Sequence, residues 1–279
     1  MREPAPILVA DLFPPLDGHL LSLLRALPPT DWHRPTVCAG WSVKDVAGHL
    51  LDTATRRLSL DRDRHAPPGP PPDLSTNAKV GIFANAANRT GVEFYRNVSA
   101  PLLIDLMATT TARLHEFFRG LDPFADATFA VSWAGESRSP VWFDVAREFT
   151  ERWHHQQQIR DAVGAEPLTT REFLHPVLDT FIRALPFASR HVTADDGTLW
   201  KVEISGPAGD VWFLHRESRR WQVVVDAEAP PDATAILTDD DAWHLFTKAF
   251  ERTAGAPAVN IAGSPAIGEV IRGMRCIVG

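Results

Sequence analysis

Apolar residues recur at three- and four-residue spacing through the first two-thirds of the chain, then give way to short alternating runs. Residues 6–27 are Leu-rich and interrupted by Pro14 and Pro15, and the breaker-filled stretch PPTDWHRPTVCAGW follows. Ser42 then stands where an N-cap belongs, with Asp45 three residues on to support the first turn. From there Val43, Val46, Ala47, Leu50, Ala54 and Leu58 keep helical period. The Pro-rich segment 65–76, HAPPGPPPDLST, reads as an extended loop between two helices of one bundle. Two more helices are predicted over 77–97 and 100–120, the second with Pro101 in its first turn. Residues 122–141 read as irregular. The stretch 142–163 is the most periodic in the chain. Val145, Phe149, Trp153, Gln156, Ile159 and Val163 share one face there, and Gly164 supplies the stop. A further helix is predicted over 170–185.

Near residue 190 the pattern changes. The runs TLWKVEI (198–204), DVWFLH (210–215) and RWQVVVD (220–226) alternate and are separated by SGPAG and RESR turns, the signature of a β-meander. A helix over 239–250, an extended piece over 257–262 and a helix over 264–273 complete the chain. The expectation is an α+β, mainly α protein. Residues 1–190 form a helical bundle, and residues 191–279 form a small α/β C-terminal domain. There is no internal repeat.

Composition narrows the function classes. With 279 residues, 44% hydrophobic and 23% charged, the chain can bury a sizeable core without disulfide or metal staples. A metal site would therefore serve function and not rescue the fold. A net charge of −7 argues against a sequence-independent grip on nucleic acid or on an anionic membrane. The local groups Arg62 and Arg64, and Arg216, Arg219 and Arg220, read as solvated surface. Two cysteines, Cys38 and Cys276, give no disulfide framework and fit a reduced, cytoplasmic compartment. The N-terminus does not read as a signal peptide, and no run approaches the ~20 apolar residues of a membrane helix.

Glu151 and His155 are four residues apart on the helix 142–163. That spacing stacks both side chains on one face, where they can chelate one ion. An ordinary helical pair remains the competing reading. His49 sits between apolar residues of its own helix, and a core histidine bonded to a neighbour is the simpler account of it. Asp52, one turn on, could orient its ring. Together His49, Glu151 and His155 would leave a coordination position open, as catalytic zinc sites do. Cys38, Trp41 and Trp153 read as packing residues. His115-Glu116 begins like a zincin motif, but Arg119 stands where the second His is needed. There is no G-x-S-x-G, P-loop or G-x-G-x-x-G.

The segment HRPTVCAGWSVKDVAGHL (33–50) resembles the start of the mycothiol-dependent maleylpyruvate isomerase family, within the DinB-like superfamily. The family pattern P-T-x-C-x-G-W-[ST]-V-x-D-[VL]-x-x-H-L is met from Pro35 to Leu50. REFTERWHHQQQIRDAVG (147–164) resembles its second signature, and the tail resembles its small α/β domain of sterol-carrier-protein type. The resemblance implies a DinB-like four-helix bundle binding a divalent metal, commonly zinc, through His49, Glu151 and His155. It also implies mycothiol or a similar low-molecular-weight thiol as cofactor. The metal would present that thiol as a thiolate for S-transfer to, or cis-trans isomerisation of, a small electrophilic substrate. The chain departs from the family at His154, where an apolar residue is usual and where a second His could compete with His155. It departs again at Gln158, where many relatives carry Asp. No motif assigns a substrate-binding arginine, which leaves Arg216, Arg219 and Arg220 as candidates. The partner would be a small molecule, with the protein a monomer or homodimer. A metal-dependent hydrolase using a metal-bound water and a non-catalytic metal- or ligand-binding protein are the alternatives.

Overall fold

The computed structural model describes residues 1–65, 77–247 and 257–277. Two compact units emerge. One comprises Leu8–Thr128 and Glu151–Leu168; the other comprises Met1–Ile7, Phe129–Thr150 and the chain from Thr169 onward. The fold class is α+β and mainly α, with a helical bundle and a small five-stranded mixed sheet.

In the bundle unit, α1 spans Phe13–Ala26. Pro14 and Pro15 lie in its first turn, where a missing backbone N–H costs nothing, so they open the helix and do not interrupt it. Helix α2 (Val43–Arg57) starts at the predicted cap. Ser42 Oγ accepts from the Asp45 backbone N–H, and the Asp45 carboxylate accepts from that of Ser42 at 2.9 Å. Arg96 donates to the same carboxylate at 2.8 Å. Burial works against ionisation of Asp45, but Arg96 and the Ser42 donors hold it below the ordinary carboxylate range. Helices α3 (Asn77–Tyr95) and α4 (Ala100–Arg119) follow, and most of the predicted Pro-rich loop lies outside the described residues. Helix α5 spans Val141–Val163 and ends at Gly164, whose φ of +70° is the left-handed conformation expected of a helix stop. The core joins Leu20 and Leu24 of α1, Val46 and Leu50 of α2, Met107 of α4 and Ile159 of α5.

In the other unit, α6 (Arg171–Ile182) carries Pro176 within it and is followed by the short α7 (Leu185–Ala188). Strands β1 (Leu199–Ser205), β2 (Val211–Glu217) and β3 (Arg220–Val224) form the predicted antiparallel meander. Strand β4 (Ala233–Thr238), which the sequence reading missed, pairs parallel with β1. Helix α8 (Asp239–Phe246) matches the start of the helix expected over 239–250, and residues 248–250 lie outside the described residues. Strand β5 (Asn260–Gly263) pairs antiparallel with β4, giving the order β3-β2-β1-β4-β5, and α9 (Ala266–Gly273) closes the unit. Phe181 of α6 packs near Phe246 of α8, and Trp200 of β1 near Trp221 of β3. Among the described residues, no helix is long and apolar enough to cross a membrane.

Candidate functional site

The second half of α5 supplies a dense run of polar groups buried in the bundle unit: Arg152, His154, Gln156, Gln157, Gln158 and Arg160. Burying them is tolerable because partners are built in. Gln156 donates to the Leu16 carbonyl at 2.9 Å, and Gln157 accepts from the Leu168 backbone N–H at 3.1 Å. Arg152, only 4% exposed, donates to Asp17 at 3.0 Å, and the His115 ring nitrogen Nε2 lies 2.7 Å from the other oxygen of that carboxylate. Asp17 is itself 1% exposed. A buried cation and a buried carboxylate thus satisfy each other.

His49, Glu151 and His155 lie in this unit as neighbours. The His49 and His155 rings meet edge to face with centroids 4.7 Å apart. His155 Nε2 lies 3.8 Å from Glu151 Oε2. The three side chains are adjacent but not closed: among the described residues, no three His, Cys, Asp or Glu side chains converge at metal-ligand spacing. His49 Nδ1 is buried with no hydrogen-bond partner among the described residues. Asp52 does not orient this ring; its carboxylate accepts from Arg56 Nε at 2.8 Å, a part-buried i,i+4 pair on the same helix.

Burial pushes the His155 ring down to about 4, opposed by the Gln158 bond and assisted by the nearby Arg152 charge. His49 falls well below the ordinary histidine range for the same first reason, helped by His155, Arg56 and Arg152. Both rings are therefore neutral at pH 7, the form that ligates metals. The fit to a metal turns on how the His155 ring is held. Its Nδ1–H donates to Gln158 Oε1 at 2.8 Å, so the Nε2 lone pair is left on the side of the Glu151 carboxylate. Two electron-pair donors then face each other across 3.8 Å, too far for a hydrogen bond. A divalent cation, were one bound here, would be held by His155 Nε2 and the Glu151 carboxylate. Two neutral imidazoles and a carboxylate are donor types that a divalent metal takes.

The surroundings include residues that the sequence reading took for packing. The Trp41 ring sits 5.0 Å from that of His49. Cys38 Sγ donates to Gln158 Oε1 at 3.0 Å, and the Gln158 amide lies 3.3 Å from His154 Nε2. Gln158 thus touches Cys38, His154 and His155 at once. Contacts across 120 residues leave no periodic trace, although the unusual Gln at 158 was visible in the sequence. Arg216, Arg219 and Arg220 lie in the β2–β3 hairpin region of the other unit. Arg216 donates to the Ala194 carbonyl at 2.8 Å and stacks over Trp221.

A helical bundle with a neutral His pair and a carboxylate beside buried, charge-paired residues places the chain in the class of bundles that carry polar sites on facing helices. The sequence profile of the mycothiol maleylpyruvate isomerase N-terminal domain matches residues 13–160, more than half of the chain, and the protein belongs to that family. Two curated, uncharacterized proteins of Mycobacterium tuberculosis are each 28% identical over 270 residues, covering 92% of this chain and 98% of theirs. A crystal structure of a mycothiol-dependent maleylpyruvate isomerase superposes with a TM-score of 0.52 at 12% identity, over 90% of this chain and 91% of that one. At that identity the likeness concerns the fold alone.

Proposed function

We propose that this protein is a metal-dependent enzyme that uses a small thiol of the mycothiol type to isomerise, or to form a thioether with, a small electrophilic substrate. His49, Glu151 and His155 would hold one divalent cation, most simply zinc. The observation that carries the reading is the arrangement of His155: its Nδ1–H is fixed by Gln158, and its free lone pair is turned to the Glu151 carboxylate. Family membership supports the thiol, as does the name of the solved relative, a mycothiol-dependent isomerase.

A cation held by these residues would lower the pKa of a bound thiol and so would supply a nucleophile at neutral pH for addition to an electrophilic carbon. The protein's own groups prepare that event. Gln158 fixes the tautomer of His155 and keeps the ring oriented. The Trp41 ring packs beside that of His49. Burial keeps both rings unprotonated, and the Arg152 guanidinium, held in place by Asp17, adds to that. Glu151 is 27% exposed and marks the side from which solvent and substrate enter.

Elemental analysis of the purified protein should find about one divalent ion per chain, lost in His49→Ala and in His155→Ala. Turnover of maleylpyruvate, or of a related cis-unsaturated acid, should require added mycothiol and disappear on metal removal. Metal content that is nil, or unchanged in His49→Ala, sinks the site. Turnover that persists without thiol replaces the isomerase reading with hydrolysis.

A further inference from the structure

An open cavity of about 360 Å³ lies in the bundle unit between the end of α1, the turn before α2 and the start of α4. Leu24, Leu27, Trp32 and Ile104 give it an apolar wall. Arg25, His33 and Lys44 also line it, and no acidic side chain does. Several other arginines of the unit are matched to carboxylates: Arg34 to Asp31, Arg56 to Asp52, Arg96 to Asp45 and Arg152 to Asp17. The Arg25 and His33 side chains make no ion pair or hydrogen bond among the described residues. Lys44 donates to the Arg96 carbonyl at 2.9 Å, a neutral acceptor that leaves its charge uncompensated.

The helix ends at the cavity do not settle its sign. The start of α4, where Ser99 makes no side-chain cap, presents a partial positive charge, and the end of α1 presents a partial negative one of similar size. The side chains decide, and they are cationic. In a chain of net charge −7, an apolar cavity rimmed by two unneutralised cations is complementary to an anion with an apolar body. Its volume falls near the lower end of the ~300–1,000 Å³ of small-molecule sites and suits a short organic body. We propose that this cavity binds a small organic carboxylate, with its body against Trp32 and Ile104 and its carboxylate between Arg25 and Lys44. The site shares no residue with His49, Glu151 and His155 and does not depend on the function proposed for them.

The test is titration calorimetry of the full-length protein with octanoate and with octanol at low ionic strength. Octanoate should bind at one site, about tenfold more tightly than octanol, and more weakly as salt rises. Arg25→Gln and Lys44→Gln should each weaken octanoate about threefold, and the double variant about tenfold, with octanol unaffected. Ile104→Trp, which fills the cavity, should abolish both, and the double charge variant decides the matter if that variant does not fold. Saturation that fails to appear by about 10 mM octanoate, equal binding of octanol, or an unchanged affinity in the double variant overturns the proposal.

Discussion

Gln158 is the residue on which the candidate site turns. Its carbonyl oxygen accepts from both His155 Nδ1 and Cys38 Sγ, at 2.8 and 3.0 Å. Replacing it with Leu keeps much of the volume and removes the acceptor. The His155 Nδ1–H then has no partner in a buried setting, a loss of about 1–3 kcal/mol in stability. Loss of an outer partner of a ligating His should weaken metal binding about 10- to 100-fold. Gln158→Glu should do the reverse for the metal, because a carboxylate makes the ring a better donor. Metal titration of the three proteins checks the order, and equal affinities would remove Gln158 from any role beyond packing. The same neighbourhood shows what a sequence discloses about a site. The spacing of Glu151 and His155 already placed them on one face. His49 was legible only through the motif from Pro35 to Leu50, because its apolar neighbours are those of any core residue. Cys38 and Trp41 stand in the same motif, but the bond that brings Cys38 to Gln158 joins segments 120 residues apart, which no local pattern records.

Elements were legible where one face was apolar and the ends carried their own signals. Helix α2 is the clearest case, since Ser42 and Asp45 make the reciprocal cap their types suggest. Ser42→Ala should cost about 1 kcal/mol, visible as a lower unfolding midpoint. Helix α5 was found but misjudged in character. Its periodicity suggested one buried stripe that included Gln156, whereas Arg152, His154, Gln157 and Gln158 are buried on its other faces. Polar type predicts exposure only when no partner is folded against it, and here Asp17, Leu16 and Leu168 provide partners. Asp17→Ala tests this directly. It leaves Arg152 charged and buried with its counterion gone, which should cost about 3–5 kcal/mol, far more than an exposed pair is worth. An unfolding midpoint within error of wild type would show that Arg152 finds another partner. Strand β4 was missed for a different reason. Its inward residues are Ala233, Ala235 and Leu237, while the strongest strand former, Ile236, points outward and is 37% exposed. Small residues facing the core hide the alternation by which a strand is recognised.

At the scale of the whole molecule, the buried histidine pair ties folding to pH. Unfolded histidines take up protons near pH 6.5, whereas His155 resists until about 4 and His49 lies well below its ordinary value. Between those limits the unfolded chain binds more protons than the folded one. Stability therefore rises with pH across that window and falls on acidification from about 6.5 toward 4, below which the His155 contribution to the loss is complete. For His155 alone the loss amounts to roughly 3 kcal/mol, a sizeable share of the ~5–15 kcal/mol that holds a typical domain folded. Asp45 acts in a lower window. Its carboxyl is held below the ordinary range, so its contribution is present above that range and disappears only as pH falls through the folded value. The two effects separate by variant. In metal-free protein, urea midpoints at pH 7, 5.5 and 4.5 should fall for wild type and fall less for His155→Gln, while carboxylate titrations common to both chains cancel in the difference. A divalent cation bound to the neutral rings should steepen the wild-type profile further, because protons and metal compete for the same lone pairs. If the wild-type and His155→Gln profiles run parallel, the ring is already protonated in the folded chain, and the neutral pair on which the metal assignment depends does not exist.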